Sequence, residues 1–133
     1  MPELVIIRGL PGSGKTTMAK TLFPDNYVHC EADDFHYLDG VYTFKLKEAS
    51  VAHAFCQFKA FNGMLHGHNV VVSNTFTRIS EMLPYIRFAQ KMKVPFRVLE
   101  CNGKYGTTHG VPPETLADME ARWEKITDES FDK

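Results

Sequence analysis

With 133 residues, 44% of them hydrophobic, the chain is long enough to bury a core as one domain spanning 1–133. No apolar run nears the roughly 20 residues of a membrane helix, and Met1-Pro2-Glu3 is no signal peptide, so a soluble protein is expected. Its three cysteines are odd in number, widely spaced and without a C-x-x-C pair, which argues against a disulfide framework or zinc site and for a cytoplasmic setting. The net charge of −1 conceals an uneven spread: residues 1–44 carry three basic and six acidic side chains, 45–104 nine and three, and 105–133 three and seven. A basic middle fits a polyanionic partner, and it fits solvated helix faces equally well.

In chain order, Leu4-Val5-Ile6-Ile7 is a short β-branched run with the composition of a strand buried on both faces. It leads into Gly9-Leu10-Pro11-Gly12-Ser13-Gly14-Lys15-Thr16, which meets G-x-x-x-x-G-K-[ST] at every fixed position. Helix-compatible residues follow from Thr17 to Leu22, until Phe23-Pro24 ends them. A strand, a glycine loop and a helix together form the setting in which this pattern binds phosphates. The glycines let successive N–H groups converge on a triphosphate, and the helix start adds its positive dipole end. Lys15 supplies a point charge for the β- and γ-phosphates, and the Thr16 hydroxyl can ligate Mg²⁺.

Tyr27-Val28-His29-Cys30 reads as the second strand, ending in Glu31-Ala32-Asp33-Asp34, with a loop around Asp39-Gly40. From Phe44 to about Leu65, Val51, Phe55, Phe58 and Leu65 fall at helical spacing and predict a long amphipathic helix. Val70-Val71-Val72 is the third strand. Ile79 to Met92 reads as a helix with Met82, Ile86 and Ala89 on one side and Pro84 in its early turns. Pro95 to Leu99 opens a fourth strand, 102–110 is a glycine-bearing loop, and Pro112-Pro113-Glu114 starts a helix running to about Ile126. Alternating strands and helices predict an α/β three-layer sandwich of the P-loop NTPase kind, with a mostly parallel sheet of four to five strands. Ligands of such sheets sit beyond the carboxyl ends of the strands. That rule gathers the glycine loop, Asp33-Asp34, Ser73-Asn74-Thr75 and the 102–110 segment around one cleft.

Phosphoryl transfer needs a metal, a group that orients or deprotonates the acceptor, and cations for the developing charge. Of Asp33 and Asp34, one can take a proton from an acceptor hydroxyl and the other can ligate Mg²⁺ or its waters; an acidic pair capping the next turn is the plainer alternative.

The glycine loop, Asp33-Asp34-Phe35, Ala52-His53-Ala54-Phe55-Cys56-Gln57, and Val70 to Val72 followed by Asn74-Thr75 resemble the small P-loop kinases of the polynucleotide-kinase and zeta-toxin type, akin to AAA-type ATP-binding proteins. The likeness covers roughly 4–126 in element order. It implies ATP as donor, Mg²⁺ as metal and a hydroxyl as acceptor. It also implies Asp33 as general base and metal neighbour, Asp34 and His36 beside it, and His53, Gln57 and Asn74 along the acceptor side.

Two departures from that family stand out. Where its members carry a carboxylate after the third strand, Ser73-Asn74-Thr75-Phe76 has none, and the family's lid arginine falls on Tyr105 or Gly106. Loss of such an arginine can cost on the order of 10³–10⁵ in rate. Lys104 and Arg78 are the cations available to replace it, and Tyr105 is placed either to stack on adenine or simply at the surface.

The expectation is an ATP- and Mg²⁺-dependent kinase acting on a hydroxyl of a nucleoside, nucleotide or polynucleotide 5′ end. The rival is an ATP-binding module without efficient catalysis. A GTPase finds no Asn-Lys-x-Asp and no third-strand Asp-x-x-Gly, and the chain is too short for a AAA+ motor.

Overall fold

Five consecutive buried residues, Leu4–Arg8, form β1, and the sheet is built outward from it. The computed structural model describes residues 2–23, 25–32, 37–38, 41–42, 49–103, 112–127 and 131. In chain order the elements are β1, α1 (Lys15–Leu22), β2 (Tyr27–Cys30), β3 (Tyr37–Leu38), β4 (Val41–Tyr42), α2 (Ala49–Leu65), β5 (Asn69–Asn74), α3 (Ile79–Lys91), β6 (Phe96–Glu100) and α4 (Pro113–Ala121). The main sheet has the order β2-β5-β1-β6, and every pairing in it is parallel. The sequences account for the order. The two inner strands, β1 and β5, are the continuous apolar runs, whereas the edge strands β2 and β6 are only partly buried.

Strand alternation then makes two cores. Leu4, Ile6, Val70 and Val72 face Ala52, Cys56, Ala60 and Met64 of α2 together with Met82, Tyr85, Ile86 and Ala89 of α3. Val5, Ile7 and Val71 face Ala19 and Phe23 on the α1 side. Helices therefore cover both faces of the sheet, and the expected three layers are present. Among the described residues no helix is long and apolar enough to cross a membrane.

Three expectations are corrected. The stripe Val51, Phe55, Phe58 and Leu65 does not face the sheet; these side chains are exposed, Phe58 by 70%. The inward face of α2 is made mostly of small residues instead, Ala52, Cys56, Ala60 and Gly63 beside Met64, because the helix lies close to the sheet: a Cβ on Gly63 would stand 2.9 Å from a Val70 methyl. The stretch 44–48 of the predicted helix lies outside the described residues. Second, two strands not expected from the sequence, β3 and β4, flank Asp39-Gly40, which lie outside the described residues, and pair antiparallel as Tyr37↔Tyr42 and Leu38↔Val41. Two-residue strands are too short to leave a periodic signature.

Third, the last helix stops at Ala121 rather than near Ile126. The residues beyond it exchange helical bonds for long-range ones. Glu124 N donates to Thr77 O at 2.7 Å, Glu124 Oε1 accepts from Ile79 N at 2.7 Å, and Arg122 Nε donates to Thr77 Oγ1 at 3.1 Å. Glu124 thus satisfies an amide at the start of α3 that the helix itself leaves without a partner.

Candidate functional site

β1 ends at Arg8 and the chain turns immediately at Gly9. A Cβ there would lie 2.3 Å from Ser13 Oγ and 2.7 Å from Cys101 O, so the turn closes only around a hydrogen. Gly9 N donates to Thr75 O at 3.3 Å, tying the loop to the end of β5. Gly12 and Gly14 adopt φ of 82° and 95°, the left-handed region in which a side chain is strained. Between them Ser13 N donates to Leu10 O at 3.0 Å, and Ser13 O accepts from Gly103 N at 3.1 Å and from Cys101 Sγ at 2.8 Å. The loop is therefore held from both neighbours of β1, the end of β5 and the residues after β6.

α1 begins at Lys15 with no side-chain cap and no acidic residue in its first turn. The helix start thus turns the positive end of its dipole toward the loop, the end that favours an anionic ligand. Lys15 Nζ donates to Leu10 O at 3.1 Å, and Thr16 Oγ1 donates to Glu31 Oε1 at 2.8 Å across to the end of β2. Pro11 lies half-buried in the loop, and Thr17 is exposed on α1.

Beside the loop, Asn74 is buried and engaged at both ends of its amide. Oδ1 accepts from Ala32 N at 2.8 Å, and Nδ2 donates to Cys56 Sγ at 3.5 Å. It thereby joins the end of β2 to β5 and to the middle of α2. His53 and Gln57, one turn apart, flank Cys56 on α2, His53 exposed and Gln57 half-buried. Arg78 is exposed at the start of α3, where its N–H donates to Glu81 Oε1 at 3.0 Å. Asp33, Asp34, His36, Lys104 and Tyr105 lie outside the described residues. The chain reaches them from Ala32, bonded to Asn74, and from Gly103, bonded to Ser13.

Sequence reasoning missed two charged residues here. Arg8 is fully buried at the base of the loop. Its Nε and one terminal nitrogen donate to Phe76 O at 3.0 and 2.8 Å, its other terminal nitrogen lies 3.9 Å from Glu100, and its guanidinium sits 3.8 Å from the Trp123 ring centroid. Burial pushes its pKa down, and the carboxylates of Glu100, Glu124 and Glu81 oppose that shift. The only signal in the sequence was a cation ending an otherwise apolar strand. The other missed residue is Glu31, a carboxylate at a strand end just ahead of Asp33.

A family model described as AAA domain matches residues 4–107. Human NEDD4-binding protein 2 is 34% identical over 135 residues; the match takes in 92% of this chain and 8% of that protein, so the chain spans only a small part of its relative's length. A sugar kinase from Janibacter sp. HTCC2649 superposes with a TM-score of 0.64 at 17% identity, over 98% of this chain and 83% of that one. Chaetomium thermophilum Kti12 in complex with ADP-AlF3 does so with a TM-score of 0.65 at 14% identity, over 93% and 81%.

Proposed function

The chain belongs to the AAA domain family, and from that premise we propose that it is an ATP- and Mg²⁺-dependent kinase that phosphorylates a hydroxyl on a nucleoside, nucleotide or polynucleotide 5′ end. One observation carries this reading: a glycine loop with two left-handed glycines opens onto an uncapped helix start at the carboxyl ends of a parallel sheet. Lys15 and the amides of residues 9–16 bind the β- and γ-phosphates. Thr16 and Asp33 hold Mg²⁺, whose preference for hard oxygen donors suits a hydroxyl, a carboxylate and phosphates. When bound, that ion screens the charge of the phosphate tail.

Asp33 then takes the proton of the acceptor hydroxyl as its oxygen bonds to the γ-phosphorus. The bond from that phosphorus to the β,γ-bridging oxygen breaks, and ADP leaves with the oxygen. Lys104 or Arg78 neutralises the charge that builds on the transferring group. Asp34, His36, His53 and Gln57 line the acceptor side, Asn74 holds the end of β2 in register with it, and Tyr105 stacks on the adenine. The basic stretch 45–104 supports a nucleic-acid end as acceptor, and binding to such an end would weaken steeply with added salt.

The test is a screen of radiolabelled ATP against nucleosides, nucleotides and 5′-hydroxyl oligonucleotides. Lys15→Ala is expected to abolish ATP binding. Asp33→Asn is expected to bind ATP normally while transfer drops at least a hundredfold; undiminished transfer in Asp33→Asn would exclude it as the base. A second reading, an ATP-binding module without efficient transfer, is favoured by the uncharged Ser73 and the doubly engaged Asn74 at the end of β5. Tight ATP binding with no transfer to any acceptor in the screen selects it.

A further inference from the structure

We infer that Glu31 anchors the nucleotide's divalent cation, supplying from the end of β2 the carboxylate that the end of β5 lacks. The inference rests on the nucleotide-binding part of the proposal above, and it concerns a residue which that proposal does not use.

The position of Glu31 follows from strand register. The last pair between β2 and β5 is Cys30↔Val72, so Glu31 and Ser73 are the next residues outward along the chain. Ser73 pairs with Ile7 of β1, and Ile7 belongs to the α1-side core. Cys30 and Val72 belong to the opposite core. By alternation Glu31 and Ser73 both fall on the face that carries α1. There Glu31 Oε1 lies 2.8 Å from Thr16 Oγ1, the hydroxyl of the glycine-loop motif. Ser73 occupies the equivalent level one strand over and is buried and uncharged.

The electrostatics favour a third party. A loop with an uncapped helix start and Lys15 attracts anions, yet a carboxylate stands against its threonine. A phosphate tail and this carboxylate repel each other, and a divalent cation bound between them relieves that repulsion. Two hard oxygens from Thr16 and Glu31, completed by phosphate oxygens and water, are the donors Mg²⁺ takes. Among the described residues no group of three or more His, Cys, Asp or Glu forms a metal cage.

The experiment uses the non-hydrolysable analogue AMPPNP. Its affinity is measured calorimetrically in EDTA and in Mg²⁺, and Mn²⁺ is followed by electron paramagnetic resonance in the ternary complex. For the wild type, Mg²⁺ is expected to tighten AMPPNP binding. Glu31→Gln, nearly the same shape, is expected to bind AMPPNP in EDTA at least as well as wild type, to lose tenfold or more of the Mg²⁺ enhancement, and to show an altered Mn²⁺ spectrum. Glu31→Asp, which keeps the charge on a shorter arm, should retain part of the enhancement and serves if the glutamine variant does not fold. Full enhancement with an unchanged Mn²⁺ spectrum in either foldable uncharged variant, Glu31→Gln or Glu31→Ala, overturns the inference. A merely structural Glu31 would lower the melting temperature and leave the metal dependence intact, which also overturns it. Failure of the wild type to bind AMPPNP under both conditions would instead sink the nucleotide reading itself.

Discussion

Gly9 shows how little tolerance the loop has at the level of one residue. With Ser13 Oγ 2.3 Å and Cys101 O 2.7 Å from where a Cβ would sit, Gly9→Ala must displace a backbone carbonyl as well as a hydroxyl. The expected cost is about 1–3 kcal/mol in urea unfolding, with ATP affinity reduced at least tenfold in calorimetry because the displaced groups shape the phosphate cradle. The glycine pattern was legible in the sequence because the motif is local and each glycine answers to a nearby steric demand. Arg8 was not legible. A cation sealed inside a fold is tolerable only because the carbonyls of Phe76 and Thr77, the Glu100 carboxylate and the Trp123 ring meet it. Those partners lie 68 to over 100 positions away along the chain.

At the scale of the element, α2 is the instructive case. Helical periodicity identified the helix and misassigned its inward face, since large apolar residues at regular spacing normally mark the buried side. Close approach to β5 reverses that preference: Ala52, Cys56, Ala60 and Met64 are buried while Val51, Phe55, Phe58 and Leu65 are exposed. Two substitutions measure the difference. Ala60→Leu should destabilise the protein by about 1–3 kcal/mol through overpacking, whereas Phe58→Ser should change it by no more than about 0.5 kcal/mol. Chemical denaturation of the two variants side by side is the check, and the reverse order of effects would restore the large-residue stripe as the core face. The shortened α4 teaches a similar lesson. Its sequence is compatible with helix beyond Ala121, but Glu124 gains more from bonding Thr77 and Ile79 than from continuing the helix.

On the scale of the whole molecule, the sheet has a chemical end and a structural end. The carboxyl ends of β1, β2 and β5 carry the loop, Glu31 and Asn74. The opposite end is pinned by Glu3, whose carboxylate accepts from the Tyr27 hydroxyl and from Arg97 Nε and its terminal nitrogen at 3.1 and 3.2 Å. The Tyr27 hydrogen bond, aided by Arg97 and opposed by burial, lowers the Glu3 pKa below its ordinary 4.5. The folded protein thus holds the Glu3 proton less tightly than the unfolded chain does. Its contribution to stability is complete above the unfolded value and is lost as pH falls through the lowered folded one. Glu3→Gln should accordingly lower the melting temperature at neutral pH, and the gap from wild type should close as the pH falls from about 5 toward about 3. ATP binding should be unaffected, since the substitution lies at the far end of the strands. A gap that stays constant with pH would remove the assigned role of the ionised carboxylate.

The sequence by itself determined the features that neighbours along the chain dictate. These are the buried strands as unbroken β-branched runs, the glycine loop between the first strand and helix, and the alternation that makes the sheet parallel. Each depends on short-range sterics or on a periodicity visible within a dozen residues. Only the tertiary structure decided which face of α2 turns inward, that Arg8 is sealed beneath the loop, and that Glu31 meets Thr16. It also decided that the stretch after α4 leaves the helix to hold the start of α3. Those outcomes depend on how closely layers approach and on which strand ends come level, distances set by the assembled sheet and by no stretch of the chain alone.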